Sequence, residues 1–350
     1  MPLILSNPFT PMQLHHTLTV TLLHHHSLSI FAAPVTLTTT TTTTTMATNF
    51  QFSDASLSLP ISSHHLLIVG PGILGRLVAQ IWRQEYPGCE VYGQTVTTNH
   101  HEELAKIGIN PSLEWTKGSH KFPYVIFCAP PYQSSDYLGD LRLAASSWNG
   151  EGSFLFTSSS APYDCNDNGL CEEDSPVVPI GRSPRTDVLL KAEKIVLEFG
   201  GSVLRLSGLY KVDKGPHIYW LEKGIVESRP DHILNLIHYE DAASLAVAIL
   251  KKQFRGRIFL GCDNHPLSRQ EVMDLVYRSG KFSKKFEKFT GTDDPLGKRL
   301  NNSKTRQEIR FATFEREKVE NISEKFDLLP ASHNTRRSVA VPKRCCLPST

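Results

Sequence analysis

Three glycines, Gly70, Gly72 and Gly75, interrupt a short apolar run in LLIVGPGILGR, Leu66 to Arg76, and a helical pattern follows them directly. Read as strand, tight turn and helix, this order aims the first N–H groups of a helix, with their partial positive charge, at a pyrophosphate. Gly70 permits the turn, Gly72 keeps the backbone bare where phosphates approach, and Gly75 lets helix and strand pack closely. Pro71 has no N–H, so the expected donors begin at Ile73 and continue through Leu74, Gly75 and Arg76. A glycine-rich surface turn has the same letters. The dinucleotide reading is preferred because Ile73, Leu77 and Ile81, with Leu74, Val78 and Trp82 beside them, form one helical stripe immediately after the turn.

A second set of reactive groups stands at the ends of apolar runs. YVIFCAPP, Tyr124 to Pro131, reads as a buried parallel strand whose carboxyl end, Cys128, Ala129 and Pro130, lines the cofactor. Cys128 reads as a small buried hydrophobe, since no His or Lys adjoins it. SFLFTSSSAPYD, Ser153 to Asp164, gives way from apolar residues to four hydroxyls, Thr157 to Ser160, at the strand's carboxyl end, with Ser158 expected at the cofactor. CEVYG, Cys89 to Gly93, reads as the strand facing the adenosine ribose, where an Asp or Glu would hold the 2′-hydroxyl of NAD. No acid stands there. Gln94, Thr95, Val96, Thr97 and Thr98 follow, and Thr95 is the expected contact. NAD and NADP both stay open, with a lean to NADP because nothing repels a 2′-phosphate.

These elements need a frame, and 350 residues with 40% hydrophobic and 21% charged residues can bury one. The net charge of +2 argues against nucleic acid as a partner, although the chain from Lys298 onward carries 12 Lys/Arg against 6 Asp/Glu. Residues 1–63 contain no Lys or Arg and hold eight consecutive threonines, Thr38 to Thr45. Such a stretch buries too little to offset its ordering entropy. It reads as a disordered leader of plastid transit-peptide type, with cytoplasmic protein starting at Met46 as the alternative. No run reaches the length of a membrane span. The seven cysteines include no C-x-x-C pair, so no metal site is expected.

FLFTSSSAPYD, EEDSPVVP, LLKAEKIVLEFG, VLRLSGLY and LNLIHYEDAASLAVAIL follow one another in an order and spacing that resembles the extended short-chain dehydrogenase/reductase family, of NAD-dependent epimerase/dehydratase type. The resemblance covers about Leu66 to Ile309. It implies an α/β fold, a doubly wound parallel sheet (Rossmann) at 64–211, then remaining core strand and a small carboxyl-terminal substrate lobe at 212–309. It also implies that Ser159 is the catalytic serine, which hydrogen-bonds the reacting hydroxyl or carbonyl. The family's Tyr and Lys, one helical turn apart, are absent here: their positions hold Arg185 and Leu189, neither of which exchanges a proton near neutral pH. The combination resembles the atypical, YeeZ-like branch.

The helix that has lost this pair still reads as well formed, with Ser183 as cap, Pro184 in its first turn, and Val188, Ala192, Ile195 and Phe199 buried. Tyr219 and Lys223 are the candidate relocated pair. His238 reads as a packed strand-end residue, and Ser268 with Glu271 as a capping box. Phe282, Phe286 and Phe289 fall on one helical face, expected as a lid over the substrate cleft, and Lys298, Arg299 and Arg306 are expected to meet an anionic substrate. Residues 310–350 read as a basic, disordered tail, where altered splicing is one explanation of the departure from the family. The expected function is an NAD(P)-dependent oxidoreductase or epimerase-like enzyme acting on a small polar or nucleotide-sugar-like molecule. A catalytically silent NAD(P)-binding sensor or scaffold is the alternative.

Overall fold

The computed structural model describes residues 63–113 and 121–310, so the leader and the tail lie outside the described residues. In chain order the elements are β1 (Leu66–Val69), α1 (Ile73–Glu85), β2 (Val91–Gln94), α2 (His101–Lys106), β3 (Ile109–Ser112), β4 (Phe122–Phe127), α3 (Tyr137–Ser146), β5 (Trp148–Ser159) and β6 (Asp167–Cys171). There follow α4 (Pro184–Glu198), β7 (Ser202–Leu206), β8 (Gly208–Tyr210), α5 (Pro216–Lys223), β9 (Ile225–Val226), β10 (Ile233–Leu234), β11 (Leu236–His238) and α6 (Tyr239–Lys252). The last are β12 (Ile258–Gly261), β13 (Leu267–Ser268), α7 (Arg269–Ser279), β14 (Lys288–Phe289), β15 (Gly297–Leu300) and α8 (Ser303–Arg310).

Seven strands form one sheet in the order β12-β7-β5-β4-β1-β2-β3, every pair parallel. Strand order reverses beside β1, so the carboxyl ends of β1 and β4 diverge around a crevice, the usual ligand position in an open α/β sheet. The period-two alternation of the strands sorts their side chains into two cores. Leu66, Ile68, Ile126, Leu155 and Leu204 face α1 and α6, while Leu67, Val69, Val125, Phe127, Phe154 and Phe156 face α3 and α4. Each of these buried side chains contributes roughly 1.5–3 kcal/mol.

The α1 stripe differs in depth from the expectation. Leu74, Val78, Ala79 and Trp82 are fully buried, whereas Ile73, Leu77 and Ile81 are only partly covered. Trp82 Nε1 donates to the His64 carbonyl at 2.8 Å, which satisfies the indole inside the core. In α4 the buried residues are Leu189, Ala192, Glu193, Ile195 and Val196. Phe199 is 46% exposed, because the helix ends one residue before it. Ser183 occupies the N-cap position of α4 without a side-chain hydrogen bond.

A second sheet, β13-β10-β15-β6, carries the lobe and takes in the acidic segment after Tyr163 as its edge strand. The lobe core gathers Tyr210, Trp220, Leu221, Leu236, Val272 and Met273. Phe282, Phe286 and Phe289 pack against that core without forming a helix: Phe289 lies in β14, and its ring meets Trp220 at 5.3 Å and Phe286 at 4.6 Å. The helical stripe expected there is therefore replaced by coil and a two-residue strand. The capping box at α7 is present, Ser268 Oγ accepting from the Glu271 N–H and Glu271 from the Ser268 N–H. No helix among the described residues is long and apolar enough to cross a membrane.

Candidate functional site

The glycine turn separates positions that must lack a side chain to fold from one that need not. Gly70 sits at φ +78°, and a Cβ there would lie 2.7 Å from the Ala129 backbone; its N–H donates to the Gln94 carbonyl at 2.9 Å. A Cβ on Gly75 would meet Ile68 Cγ2 at 2.9 Å, so α1 can lie on β1 only because that residue has none. Gly72 is exposed, its φ is −73°, and a Cβ on it would meet nothing within 4 Å. Its bareness is not a folding requirement. The helix begins at Ile73 with no side-chain cap and no acid in its first turn. The first-turn N–H groups of a helix have no intrahelical acceptor, so Ile73, Leu74 and Gly75 carry the donors available at this end of α1.

Arg76, expected at the cofactor, is hydrogen-bonded to the turn and to α2. Its N–H donates to the Gly72 carbonyl at 2.9 Å, its Nη1 to Glu103 Oε2 at 3.0 Å and its Nε to the Pro71 carbonyl at 3.4 Å. Arg76 thus braces the turn. Its partner Glu103 lies on α2, and the Arg76 and His100 hydrogen bonds hold that carboxyl below the usual carboxylate range. Thr95, just past β2, shares its hydroxyl with the Thr97 carbonyl at 2.9 Å and His101 Nε2 at 2.7 Å.

At the end of β4, Cys128, Ala129 and Pro130 are each half-buried. Desolvation pushes the Cys128 thiol up to about 12, with a Thr157 hydrogen bond pulling the other way, so it is no nucleophile at neutral pH. Tyr137 fixes this end by donating to the Ala129 carbonyl at 3.1 Å, and Thr157 by donating to the Phe127 carbonyl at 3.1 Å.

The two serines at the end of β5 part company, as alternate residues of a strand must. Ser159 is half-buried, and its Oγ accepts the Ala161 N–H at 3.1 Å, which leaves its O–H proton for a ligand. Ser158, expected at the cofactor, is 7% exposed and donates to Glu193 Oε1 at 2.6 Å. Glu193 also accepts Arg205 Nε at 3.0 Å and Arg205 Nη2 at 2.7 Å, and both partners are almost wholly buried. Desolvation works against the Arg205 charge, but the Glu193 bonds outweigh it and its pKa is raised. The Arg205 guanidinium lies 4.7 Å from the Tyr163 ring centroid, and Tyr163 donates to the Glu173 carbonyl at 3.1 Å. Burial pushes Tyr163 up to about 12, so this tyrosine is locked into the frame.

Arg185 is exposed and Leu189 buried, so neither offers a proton. Tyr219 and Lys223 share α5, and with Trp220, Val226, Ser228 and Arg269 they line an open groove of about 390 Å³ in the lobe. Lys298, expected to meet substrate, donates instead to the carbonyls of Tyr163 at 2.5 Å and Ser160 at 3.3 Å. Arg299 is exposed on β15, and Arg306 acts on Asp263. His238 is the N-cap of α6, its Nδ1 accepting the Glu240 N–H at 3.3 Å. Sequence reasoning missed Asp263, just past β12. Its Oδ1 accepts the His265 N–H at 2.9 Å, while its buried Oδ2 has no protein partner. Burial, with Asp241 adding to it, pushes Asp263 up to about 7.

The parallel seven-stranded sheet, its reversal of strand order and the glycine turn at the crevice define a doubly wound Rossmann fold. No protein-family model matches the chain, and no curated protein does. Solved structures do. A functionally unknown conserved protein from Silicibacter pomeroyi DSS is similar with a TM-score of 0.60 at 20% identity, over 75% of this chain and 97% of that one. UDP-glucuronic acid 4-epimerase from Bacillus cereus, in complex with NAD, has a TM-score of 0.59 at 14% identity, over 75% and 94%. UDP-glucose 4-epimerase from Thermotoga maritima, with UDP-glucose, has a TM-score of 0.59 at 14% identity, over 75% and 96%.

Proposed function

We propose that this chain binds a nicotinamide adenine dinucleotide, NAD or NADP, across the carboxyl ends of β1, β2 and β4. The reading rests above all on Gly72, a bare and exposed residue beside an uncapped helix start whose missing side chain the fold itself does not require. A pyrophosphate there would accept from the N–H groups of Ile73, Leu74 and Gly75. Thr95 would stand by the adenosine, and Cys128, Ala129 and Pro130 would form the wall beside the rest of the cofactor. The similar UDP-glucuronic acid 4-epimerase structure in complex with NAD supports a nicotinamide cofactor.

On this reading the protein is an oxidoreductase or epimerase-like enzyme, and its substrate is a small polar or nucleotide-sugar-like molecule. When bound, the nicotinamide supplies the hydride acceptor or donor. Ser159 donates its O–H to the reacting oxygen and so orients it. A group outside α4 must carry the proton. The YeeZ-like branch is the closest description of such a site, and the acid-poor leader is taken as a plastid import sequence. Mature protein that retains the leader in the cytosol would contradict the import reading.

Leu189 and the locked Tyr163 favour a second reading, a nucleotide-binding sensor that kept the pocket without the chemistry. Calorimetry with NADH and NADPH, followed by a screen of carbonyl and nucleotide-sugar substrates, separates the two. Turnover that falls on Ser159→Ala and survives Arg185→Ala supports the enzyme. Tight cofactor binding without turnover, unaffected by Ser159→Ala, supports the sensor.

A further inference from the structure

Cys165 lies in the segment that joins the Ser159 strand to the lobe sheet, and Cys171 is the last residue of β6, the lobe strand that follows it. β6 runs alongside β15 with Cys171 opposite Leu300, and its backbone passes through Asn168 at φ 68°. Cys165 folds back over this strand, close enough that a Cβ on Gly169 would lie 3.0 Å from its Sγ. The two thiols share one small apolar cluster with Tyr163, Leu260 and Leu300. Cys171 is 2% exposed, whereas Cys165 is only partly covered, so solvent reaches one sulfur and not the other. The Lys298 ammonium, held on the Ser160 and Tyr163 carbonyls, acts on both.

We propose that Cys165 and Cys171 are a dithiol that hydrogen peroxide oxidises to an intramolecular disulfide, a modification site on the segment following Ser159. The accessible Cys165, as thiolate, attacks one peroxide oxygen; the O–O bond breaks, leaving Cys165 sulfenic acid and, after protonation, water. The Cys171 sulfur then attacks the sulfenic sulfur, the S–O bond breaks, and a second water leaves as the S–S bond forms. Two thiols and one peroxide thus give one disulfide and two waters, with sulfur oxidised and peroxide oxygen reduced. The Lys298 charge favours the Cys171 thiolate that the second step needs. Burial works the other way on Cys171, pushing it up to about 11, and a thiol so disfavoured as a thiolate stabilises the disulfide against reduction. Closing the bond would break the Cys165 hydrogen bond to Asp167 and tie the Tyr163 segment covalently to β6.

The test treats the full chain with hydrogen peroxide, denatures it, alkylates free thiols and digests with trypsin. Leu143 to Arg182 is one tryptic peptide, and Cys165 and Cys171 are its only cysteines. The expected product is that peptide unalkylated and lighter by two hydrogens, restored to two alkylated cysteines by dithiothreitol, while Cys128 and Cys262 are alkylated throughout. Two alkylated cysteines after peroxide, Cys165 carried on to sulfinic acid beside a free Cys171, or either sulfur bonded to another cysteine overturns the proposal. In Cys171→Ser, Cys165 should stop at the sulfenic acid and be trapped by dimedone. Gly169→Ala, which displaces the Cys165 sulfur while keeping both thiols, should slow disulfide formation several-fold; an unchanged rate contradicts the geometry.

Discussion

Arg205 and Glu193 form a bidentate ion pair inside the protein, through Nε at 3.0 Å and Nη2 at 2.7 Å, directly beneath the hydroxyl-bearing end of β5. With Ser158 on the same carboxylate and the Tyr163 ring over the guanidinium, the pair fixes the backbone from which Ser159 projects. Removing one partner strands the other's charge in the core. Glu193→Gln should therefore lower stability by about 3–5 kcal/mol in urea denaturation, and Glu193→Gln with Arg205→Met should recover part of that loss. A single variant as stable as the wild type would show that the charges are not buried together.

Gly70 and Gly75 should behave as folding residues. Gly70→Ala forces a left-handed alanine against the Ala129 backbone and should cost about 1–3 kcal/mol or more. Gly75→Ala should also destabilise, by pushing α1 off Ile68. Thermal melts of both variants check this, and unshifted midpoints would contradict the packing described.

Asp263 sets a pH dependence. Its folded pKa of about 7 stands above the ordinary carboxylate value, so between roughly pH 4 and pH 7 the folded chain holds a proton that the unfolded chain has released. The stability it contributes is full at low pH and falls as pH rises through that window. Asp263→Asn should flatten the decline and stabilise the protein at pH 8 by up to about 4 kcal/mol. Denaturation midpoints at pH 5 and pH 8 decide it, and a wild-type slope unchanged by the variant would contradict the assignment.

The Arg76 and Glu103 pair bears on cofactor preference. Glu103→Gln removes the carboxylate that holds the Arg76 guanidinium, freeing a cation for a 2′-phosphate, and should raise the NADPH to NADH affinity ratio on the order of 10-fold. An unchanged ratio would place the adenosine elsewhere.

Most of the sheet was legible because its residues obey one rule at a time. Apolar runs that end in small or hydroxyl residues mark β1, β4 and β5, and the glycine spacing marks the turn between β1 and α1. The buried network was harder to read. Glu193 lies in the string KAEK, where it passes for a solvated helix charge, yet it shares a helix face with Leu189, Ala192 and Val196. Arg205 was the available signal, a charge in the middle of the apolar strand VLRL that needs a buried partner. The positions of Arg76 and Lys298 depend on contacts distant in sequence, Glu103 for one and the Tyr163 carbonyl for the other, which no local pattern encodes. The phenylalanines from Phe282 to Phe289 fit a helical period, but tertiary packing onto the lobe core overrode it.

The central claim is that a pyrophosphate rests at the amino end of α1 beside Gly72. Calorimetric titration of NADH and NADPH into the full chain and its Gly72→Ala variant tests it most directly, because a methyl group there meets nothing within the fold. The wild type should bind at least one dinucleotide, and the variant should bind it about 10-fold or more weakly, a loss near 1.4 kcal/mol, at an unchanged melting temperature. A wild-type chain that binds neither dinucleotide, or a variant that binds as tightly as the wild type, would contradict it.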